Sequence, residues 1–427
     1  MSDIYKIRVI CAFITLSKDD MPADLPSPPT NLSDAVKSSG LYTKISEAAT
    51  ALSSLSAQLS PFAEVQTVRI ATNSFTEYLD VDGSVRDGSD IASTALLKSQ
   101  VALVDAILES LEINFFNFGP CLSAEHTRSL PSVILPMSSR VSVSSLVAAC
   151  DLEHARAAAD TIVGLSKVPG TEGLVNFRYC AQSTSSAPLA PFFPAAYAPS
   201  DGAGRVRIGL GLENGKLANE GLGLCEVPDD VGTKFLDFYS SKIARLVEAA
   251  AKAVQGLELP TLTAEYVGID TSLNPSLDPD GSIGLALESL PFVPSGIGGC
   301  GIIAAAAAVT TAIQSLPFLR TGYCGIMLPV CEDQRLSAIQ SSEDGRKYTV
   351  SHLMNVSSVC GVGVDTVPVP EGVRPQDVAA IILDVCGLAA RWNKPLSVRI
   401  FPVPGKAEGE LTEFDSPYLC NTKVFGL

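Results

Sequence analysis

Five acidic residues end or follow stretches of sequence that have the character of β-strands. Glu213 follows RVRIGLGL, Asp270 ends TAEYVGID, Glu332 and Asp333 follow CGIMLPVC, and Asp365 lies within GVDTVPV. At strand ends of barrel enzymes, carboxylates act as general bases or bind a divalent metal through oxygen. We therefore nominate Glu213, Asp270 and Glu332 as catalytic residues and keep a divalent metal as an open alternative. The competing interpretation is that they cap helices or face solvent.

Two arginines interrupt apolar strand-like runs. Arg69 lies in VQTVRIA and Arg178 lies in VNFRYCA. A charged side chain within a buried strand is costly unless it is paired. Each arginine therefore either binds the carboxylate or phosphate of a substrate or pairs with a structural acid.

A glycine cluster precedes an alanine-rich helical stretch. Residues 296–301 read GIGGCG, so Gly296, Gly298 and Gly301 fit G-x-G-x-x-G formally, with Gly299 between them. Such a loop at a helix start binds a dinucleotide when it follows a strand. The preceding LESLPFVPS contains two prolines and makes a poor strand. Three interpretations stay open: a dinucleotide site, a substrate-binding cradle for another anion, or a tight loop leading into a packed helix.

Histidine and cysteine supply weaker candidates. His352, in TVSHLM, either caps a helix or belongs to a site, and Cys360, in SSVCGVGVD, is either a packed thiol or a nucleophile. His154, in LEHARAAAD, is expected on an exposed helical face. The eleven cysteines are scattered without a C-x-x-C pair. This excludes a zinc ribbon or thioredoxin motif and favours a reducing, cytoplasmic location.

The elements that must position these residues alternate along the whole chain, which predicts an α/β fold with a mainly parallel sheet. No shift in composition separates domains, so we expect residues 1–427 to form a single large β/α barrel domain of about ten strands, with its pocket at the carboxyl ends of the strands. The predicted strands are 4–14, 64–71, 112–118, 174–182, 205–212, 263–269, 324–330, 364–369 and 396–403, with a tenth at 140–146 or 356–362. The predicted helices are 31–59, 90–110, 145–166, 230–255, 301–316 and 375–393.

Charge and hydropathy limit the partners. The 427 residues include 30 Lys and Arg against 46 Asp and Glu, a net charge of −16. So acidic a chain is a poor match for nucleic acid or for an anionic membrane surface. No uninterrupted apolar run is long enough to predict a membrane span. We expect the partner to be a small anionic metabolite, and the apolar composition is compatible with a homodimer.

Several long segments of the sequence resemble those of a known family. They are VQTVRIATNSFTEYL (65–79), RTGYCGIMLPVCED (320–333), YTVSHLMNVSSVCGVGVDTVPVPEGV (348–373) and ILDVCGLAARWNKPLSVRIFPVPGKAEGELTEFDSPY (382–418). With them the chain resembles the DUF711 family, also called UPF0210, and most of all its archaeal-type branch. The resemblance implies a fold similar to the ten-stranded barrel of the pyruvate formate-lyase-like glycyl radical enzymes. It implies no particular reaction.

The resemblance does not extend to radical chemistry. A glycyl radical needs an R-V-x-G-Y-like loop near the carboxyl terminus, but the chain ends SPYLCNTKVFGL. The nearest string, Arg320 to Tyr323, lies far upstream. We therefore expect no glycyl radical, because fold does not carry function across.

Three functions stay open at this point. The first is an enzyme that acts on a small anionic metabolite by acid/base chemistry, with or without a metal, as a lyase, isomerase or transferase. The second is a non-catalytic barrel that binds a small metabolite as a sensor. The third is an NAD(P)-dependent oxidoreductase that uses Gly296–Gly301.

Overall fold

The computed structural model describes residues 4–81, 91–185, 189–343, 348–359 and 362–427. In these ranges strands and helices alternate, and the α/β class predicted from the sequence is confirmed. The strands are β1 (Lys6–Ile14), β2 (Val68–Thr72), β3 (Phe116–Cys121), β4 (Val141–Val147), β5 (Tyr179–Ser183), β6 (Arg205–Glu213), β7 (Thr263–Asp270), β8 (Gly363–Pro370) and β9 (Ser397–Val403). The helices are α1 (Asp34–Lys37), α2 (Gly40–Leu59), α3 (Ile91–Ser110), α4 (Ala124–Ile134), α5 (Leu152–Leu165), α6 (Gly215–Leu222), α7 (Pro228–Asp230), α8 (Leu236–Gln255), α9 (Ile283–Glu288), α10 (Ile302–Gln314), α11 (Gln334–Ser341), α12 (Val350–Ser357) and α13 (Pro375–Trp392).

The nine strands form one mixed, mostly parallel sheet in the order β7-β6-β1-β2-β3-β4-β5-β9-β8. Strands β1 to β5 are parallel to one another. The direction reverses at two places, where β6 pairs antiparallel with β1 and β9 pairs antiparallel with β5. As a result, the amino ends of β1 to β5 lie at the same end of the sheet as the carboxyl ends of β6 and β7.

Strand β1 is buried on both faces. Its residues Ile10, Ala12 and Ile14 belong to the large core cluster that also contains the helices. The alternate residues Val9, Cys11 and Phe13 belong to a smaller cluster on the other face, with the segment 190–198. This follows from the two-residue period of a strand and explains why the run is continuously apolar.

The predicted strand 324–330 is wrong as a regular strand. Gly322 and Cys324 adopt positive φ angles of 76° and 46°, and Pro329 has no N–H to donate to a ladder. What remains is a set of single parallel bridges, Ile269 to Arg320, Leu273 to Ile326 and Pro329 to Asp365. The segment thus touches β7 at one end and β8 at the other.

Polar caps set the helix boundaries that the apolar periodicity misses. Ser39 accepts a hydrogen bond from the Tyr42 N–H at 3.3 Å, so the helix predicted over 31–59 is divided into α1 and α2. Asp151 accepts from the His154 N–H at 3.0 Å and opens α5, which therefore begins well after residue 145. Among the helices that the structure describes, none is both long and apolar enough to cross a membrane.

Candidate functional site

A cavity of about 630 Å³ opens at the end of the sheet where β1 to β5 begin and β6 and β7 end. Its lining includes Arg8 from β1, residues 65–67 just before β2, and Glu213 at the end of β6. The antiparallel register of β1 and β6 places Lys6 opposite Glu213 and so brings the start of one strand beside the end of the other. The cavity therefore lies at the carboxyl ends of β6 and β7 but at the amino ends of β1 to β5, unlike the uniform carboxyl-end pocket expected from the sequence.

A chain of alternating charges runs along one wall of the cavity. Arg8 donates to Glu213 at 3.0 Å through Nη1 and to Glu332 at 3.2 Å through Nη2. The other oxygen of Glu332 accepts from Arg399 Nη2 at 2.6 Å, and Arg399 Nε donates to Asp365 at 2.6 Å. Glu332 is thus held between two arginines, one on each oxygen.

Arg399 is the most enclosed cation of this chain of charges. Its Nη1 also donates to the Phe177 carbonyl at 3.3 Å, and its guanidinium lies 4.9 Å from the centre of the Phe177 ring. Burial lowers the pKa of Arg399, but the charges of Asp365 and Glu332 outweigh that effect and raise its pKa above the ordinary value. Arg399 therefore stays charged and fixes the orientation of the carboxylates.

Arg69 lines the same cavity without an acidic partner among the described residues. Its guanidinium lies between two rings, 5.0 Å from the centre of Phe115 and 5.2 Å from that of Phe193. Its Nε donates to Thr67 Oγ1 at 3.0 Å. Burial, with the nearby charges of Arg8 and Arg399, lowers the pKa of Arg69 to about 10. A guanidinium in this setting is suited to bind an oxyanion.

Arg178 is the other arginine that the sequence predicted to contact a substrate or a structural acid. In the structure it instead donates hydrogen bonds to backbone carbonyl groups. Its Nη1 donates to the carbonyl oxygens of Ser138 at 2.6 Å and Val141 at 2.9 Å. Burial lowers its pKa to about 10. It lines the cavity, but these two bonds identify it first as a side chain that fastens the start of β4.

Asp270 lies outside the cavity lining, in the interior. Its carboxylate accepts hydrogen bonds from the Ser272 N–H at 2.9 Å, the Tyr323 N–H at 2.8 Å and the Cys324 N–H at 3.0 Å, and from Ser272 Oγ at 2.5 Å. Burial raises the pKa of Asp270, while these hydrogen bonds act in the opposite direction. The side chain thereby ties the irregular segment after residue 320 to the end of β7.

The glycine cluster is separate from the cavity. Gly296, Gly298 and Gly301 adopt positive φ angles, and a β-carbon on Gly299 would clash with Ser295 Cβ. A β-carbon on Gly298 would lie 3.0 Å from the side chain of Tyr348 and 3.7 Å from that of His352. The loop follows α9 rather than a strand, so the strand–loop–helix context of a dinucleotide site is missing from the described residues.

The remaining sequence candidates fall elsewhere. His352 caps α12, where its Nδ1 lies 2.9 Å from Thr349 Oγ1, and Cys360 lies outside the described residues. The expected exposure of His154 is wrong: its side chain is buried and its Nε2 lies 2.8 Å from Thr127 Oγ1. Burial raises the pKa of Cys324 to about 12. In the described part of the chain, no three His, Cys, Asp or Glu side chains group in a way that could hold a metal ion.

The structure therefore brings together Arg69, Arg178, Glu213 and Glu332 around one cavity and leaves Asp270, His352 and the glycine loop apart from it. Sequence reasoning missed Arg8 and Arg399. Both are arginines within apolar strands, IYKIRVICAFI and LSVRIFPV. They carry the same signal that identified Arg69.

The fold and cavity define an α/β protein with a mixed, mostly parallel nine-stranded sheet and a charged pocket at one end. Residues 2–415 match the family described as "Uncharacterised ACR (DUF711)", and the chain belongs to that family, as the sequence segments quoted above predict. It is similar to the UPF0210 protein of Pyrobaculum arsenaticum, 31% identical over 242 residues, which cover 53% of this chain and 50% of that protein.

Two further relatives are UPF0210 proteins of Thermoanaerobacter sp. strain X514 and Methanocaldococcus jannaschii. The first is 28% identical over 230 residues, 52% of this chain and 48% of the relative. The second is 30% identical over 177 residues, 40% of this chain and 37% of the relative. The matches with the first relatives thus span about half the length of those proteins.

Proposed function

We propose that this protein is an enzyme that acts on a small anionic metabolite by acid/base chemistry, as a lyase, isomerase or transferase. One observation carries the proposal: the same cavity holds Arg69, with no carboxylate partner among the described residues, and Glu332, whose two oxygens bind two different arginines. The guanidinium binds the oxyanion of the substrate and the carboxylate transfers a proton.

Glu332 is arranged as a proton acceptor. Two oxygens of a carboxylate offer about four lone-pair positions, and Arg8 and Arg399 occupy one on each oxygen. The remaining positions are available to a C–H or O–H of the substrate. The two guanidinium groups also stabilise negative charge that develops on the substrate as the proton leaves. Glu213, which accepts from Arg8 and from Gln66 Nε2 at 3.0 Å, is the second proton-transfer group.

We propose that the sheet closes into one β/α barrel that holds this site in a single domain. The outer strands of the sheet are β7 and β8. Both make parallel bridges to the same segment, β7 at Arg320 and β8 at Pro329. The irregular segment 320–329 therefore lies between the two outer strands, where a tenth strand of a barrel would lie, and this supports closure of the ring.

The alternatives have less support. A non-catalytic binding protein would use the same cavity, and turnover distinguishes the two. An NAD(P)-dependent oxidoreductase would need Gly296–Gly301 after a strand and beside the cavity, and neither condition is met in the described residues.

The test is proton exchange. The purified protein is incubated in D₂O with a panel of carboxylates that carry α-keto, α-hydroxy or unsaturated groups, and loss of C–H signal is followed by proton NMR. We expect exchange with at least one compound, lost in Glu332→Gln but retained in Glu248→Gln, a substitution of an exposed glutamate on α8. Exchange that survives Glu332→Gln would contradict the role of this carboxylate, and binding without exchange would favour the sensor.

A further inference from the structure

Each acidic group of the cavity lining that the structure describes lies in an ion pair with a cation of the protein. Glu213, Glu332 and Asp365 lie in ion pairs with Arg8 and Arg399. The two acids at the rim also have cations, since Glu64 lies 3.1 Å from Lys6 and Asp278 lies 3.9 Å from Lys216. A substrate ammonium group would therefore enter a site where every carboxylate of the described lining already has a cationic partner, and it would lose its hydration for a counter-charge that it has to share with that cation.

Several basic and neutral polar side chains of the lining have fewer hydrogen-bond partners in the described residues than they could accommodate. Arg69 offers its two Nη groups to the cavity, because its Nε makes its only described side-chain hydrogen bond. Ser142 and Asn274 line the same cavity and are 6% and 5% exposed, and neither side chain has a hydrogen-bond partner in the described parts of the chain. Their polar side-chain atoms face the open cavity, where a bound ligand could supply hydrogen-bond partners in place of water. Neither carries a charge, which fits hydroxyl or carbonyl groups.

Aromatic and aliphatic side chains form the rest of the wall. Two of them, Phe115 and Phe193, flank the anion-binding guanidinium directly. A volume of about 630 Å³ is also larger than the anionic head of a substrate fills. The apolar and aromatic lining also includes Phe177, Phe192, Tyr323, Met327, Val362 and Tyr418.

We infer that the substrate joins an oxyanion, carboxylate or phosphate, to an aromatic or similarly planar apolar body and carries no ammonium group. The oxyanion binds at Arg69, and the planar body packs between that site and the apolar wall. This inference rests on the function proposed above and specifies its substrate class.

Isothermal titration calorimetry on the full chain tests it with four probes: 3-phenylpropionate, propionate, L-phenylalanine and phenyl phosphate. We expect 3-phenylpropionate or phenyl phosphate to bind, and the stronger of the two identifies the head group. Propionate is expected to bind at least about tenfold more weakly than 3-phenylpropionate because it lacks the ring. L-phenylalanine has the same ring and carboxylate plus an ammonium group, and is also expected to bind at least about tenfold more weakly.

Variants separate the inference from the proposed function. Arg69→Met should abolish binding of the ring-bearing anions and Arg69→Lys should restore part of it, while Arg156→Met, at an exposed arginine of α5, should change nothing. Equal binding of L-phenylalanine and 3-phenylpropionate, or of propionate and 3-phenylpropionate, would overturn the substrate class while leaving the anion site in place. Absence of any Arg69-dependent binding would overturn the proposed function itself.

Discussion

Replacing Arg69 by Met should make the ligand-free protein more stable. Burial and the like charges of Arg8 and Arg399 lower the pKa of Arg69 by between two and three units, to about 10. At about 1.4 kcal/mol per unit, charging the buried group costs about 3 kcal/mol at neutral pH before screening in the open cavity reduces the figure. Contacts with Phe115 and Phe193 and the bond to Thr67 return about 1–2 kcal/mol. Methionine keeps apolar contact with the rings but loses the attraction of the charge to them and the bond to Thr67, so the net gain is about 1–2 kcal/mol.

The sign of this effect depends on pH. A base whose pKa is lower in the folded state destabilises the fold at every pH below that value, and the cost fades only as pH rises above about 10. Urea unfolding at pH 7.5 therefore measures the full effect as a higher midpoint with an unchanged slope. Arg156→Met should shift stability by less than about 0.5 kcal/mol. If Arg69→Met lowered the free energy of unfolding by more than about 1 kcal/mol, Arg69 would be a structural side chain and the reasoning would fail.

Three further outcomes follow from the contacts. Asp270→Ala should lower the free energy of unfolding by about 3 kcal/mol or more in urea, because buried N–H and hydroxyl donors lose their acceptor. Arg178→Met should lower it by about 1 kcal/mol, opposite in sign to Arg69→Met, because the loss of two hydrogen bonds from a charged donor to the carbonyls of Ser138 and Val141, about 4 kcal/mol together, outweighs the relief of about 3 kcal/mol from no longer burying the charge. Burial lowers the pKa of His154 below 6.5, so stability should fall as pH drops below 6.5, by up to about 1.4 kcal/mol per pH unit, and urea midpoints at several pH values should show a shallower fall in His154→Gln.

The strands could be predicted because a strand that is buried on both faces has a continuously apolar local sequence. Continuous apolar runs such as VICAFI predict a strand covered on both faces, which β1 is. The segment 324–330 shows the limit of this signal. It is apolar enough for a strand, but the positive φ angles at Gly322 and Cys324 break the ladder, and the carboxylate of Asp270 holds that backbone in place. Hydrogen bonds between residues so far apart in the sequence do not change the periodicity of apolar residues, so the sequence pattern does not reveal them.

Half of the site was predictable for a similar reason. Arg69 and Arg178 stood out because charge within an apolar strand is costly, and both line the cavity. Asp270 stood out only because it lies at a strand end. An acid at that position can be either a structural hydrogen-bond acceptor or a catalytic base, and the sequence does not distinguish the two. Whether an acid at a strand end meets a substrate depends on strand direction, and the reversal between β1 and β6 cannot be read from the sequence pattern.

The strand reversal also explains why the arginines carry more information than the acids. Arg8 and Arg69 lie near the starts of β1 and β2, and Arg178 lies just before β5, so parallel neighbours bring all three to one end of the sheet. Arg399 lies on β9, which runs antiparallel to β5 and so returns to the same end. With Arg140, which is paired with Asp105 at 3.2 Å, five guanidinium groups line one cavity; they repel one another and would oppose folding unless acids or a ligand compensate them. Glu213, Glu332 and Asp365 compensate Arg8 and Arg399, and Arg178 is satisfied by backbone carbonyls. Arg69 is left as the arginine of the lining that has neither an ion pair nor backbone carbonyl acceptors among the described residues, which makes it the first residue to change when the substrate is sought.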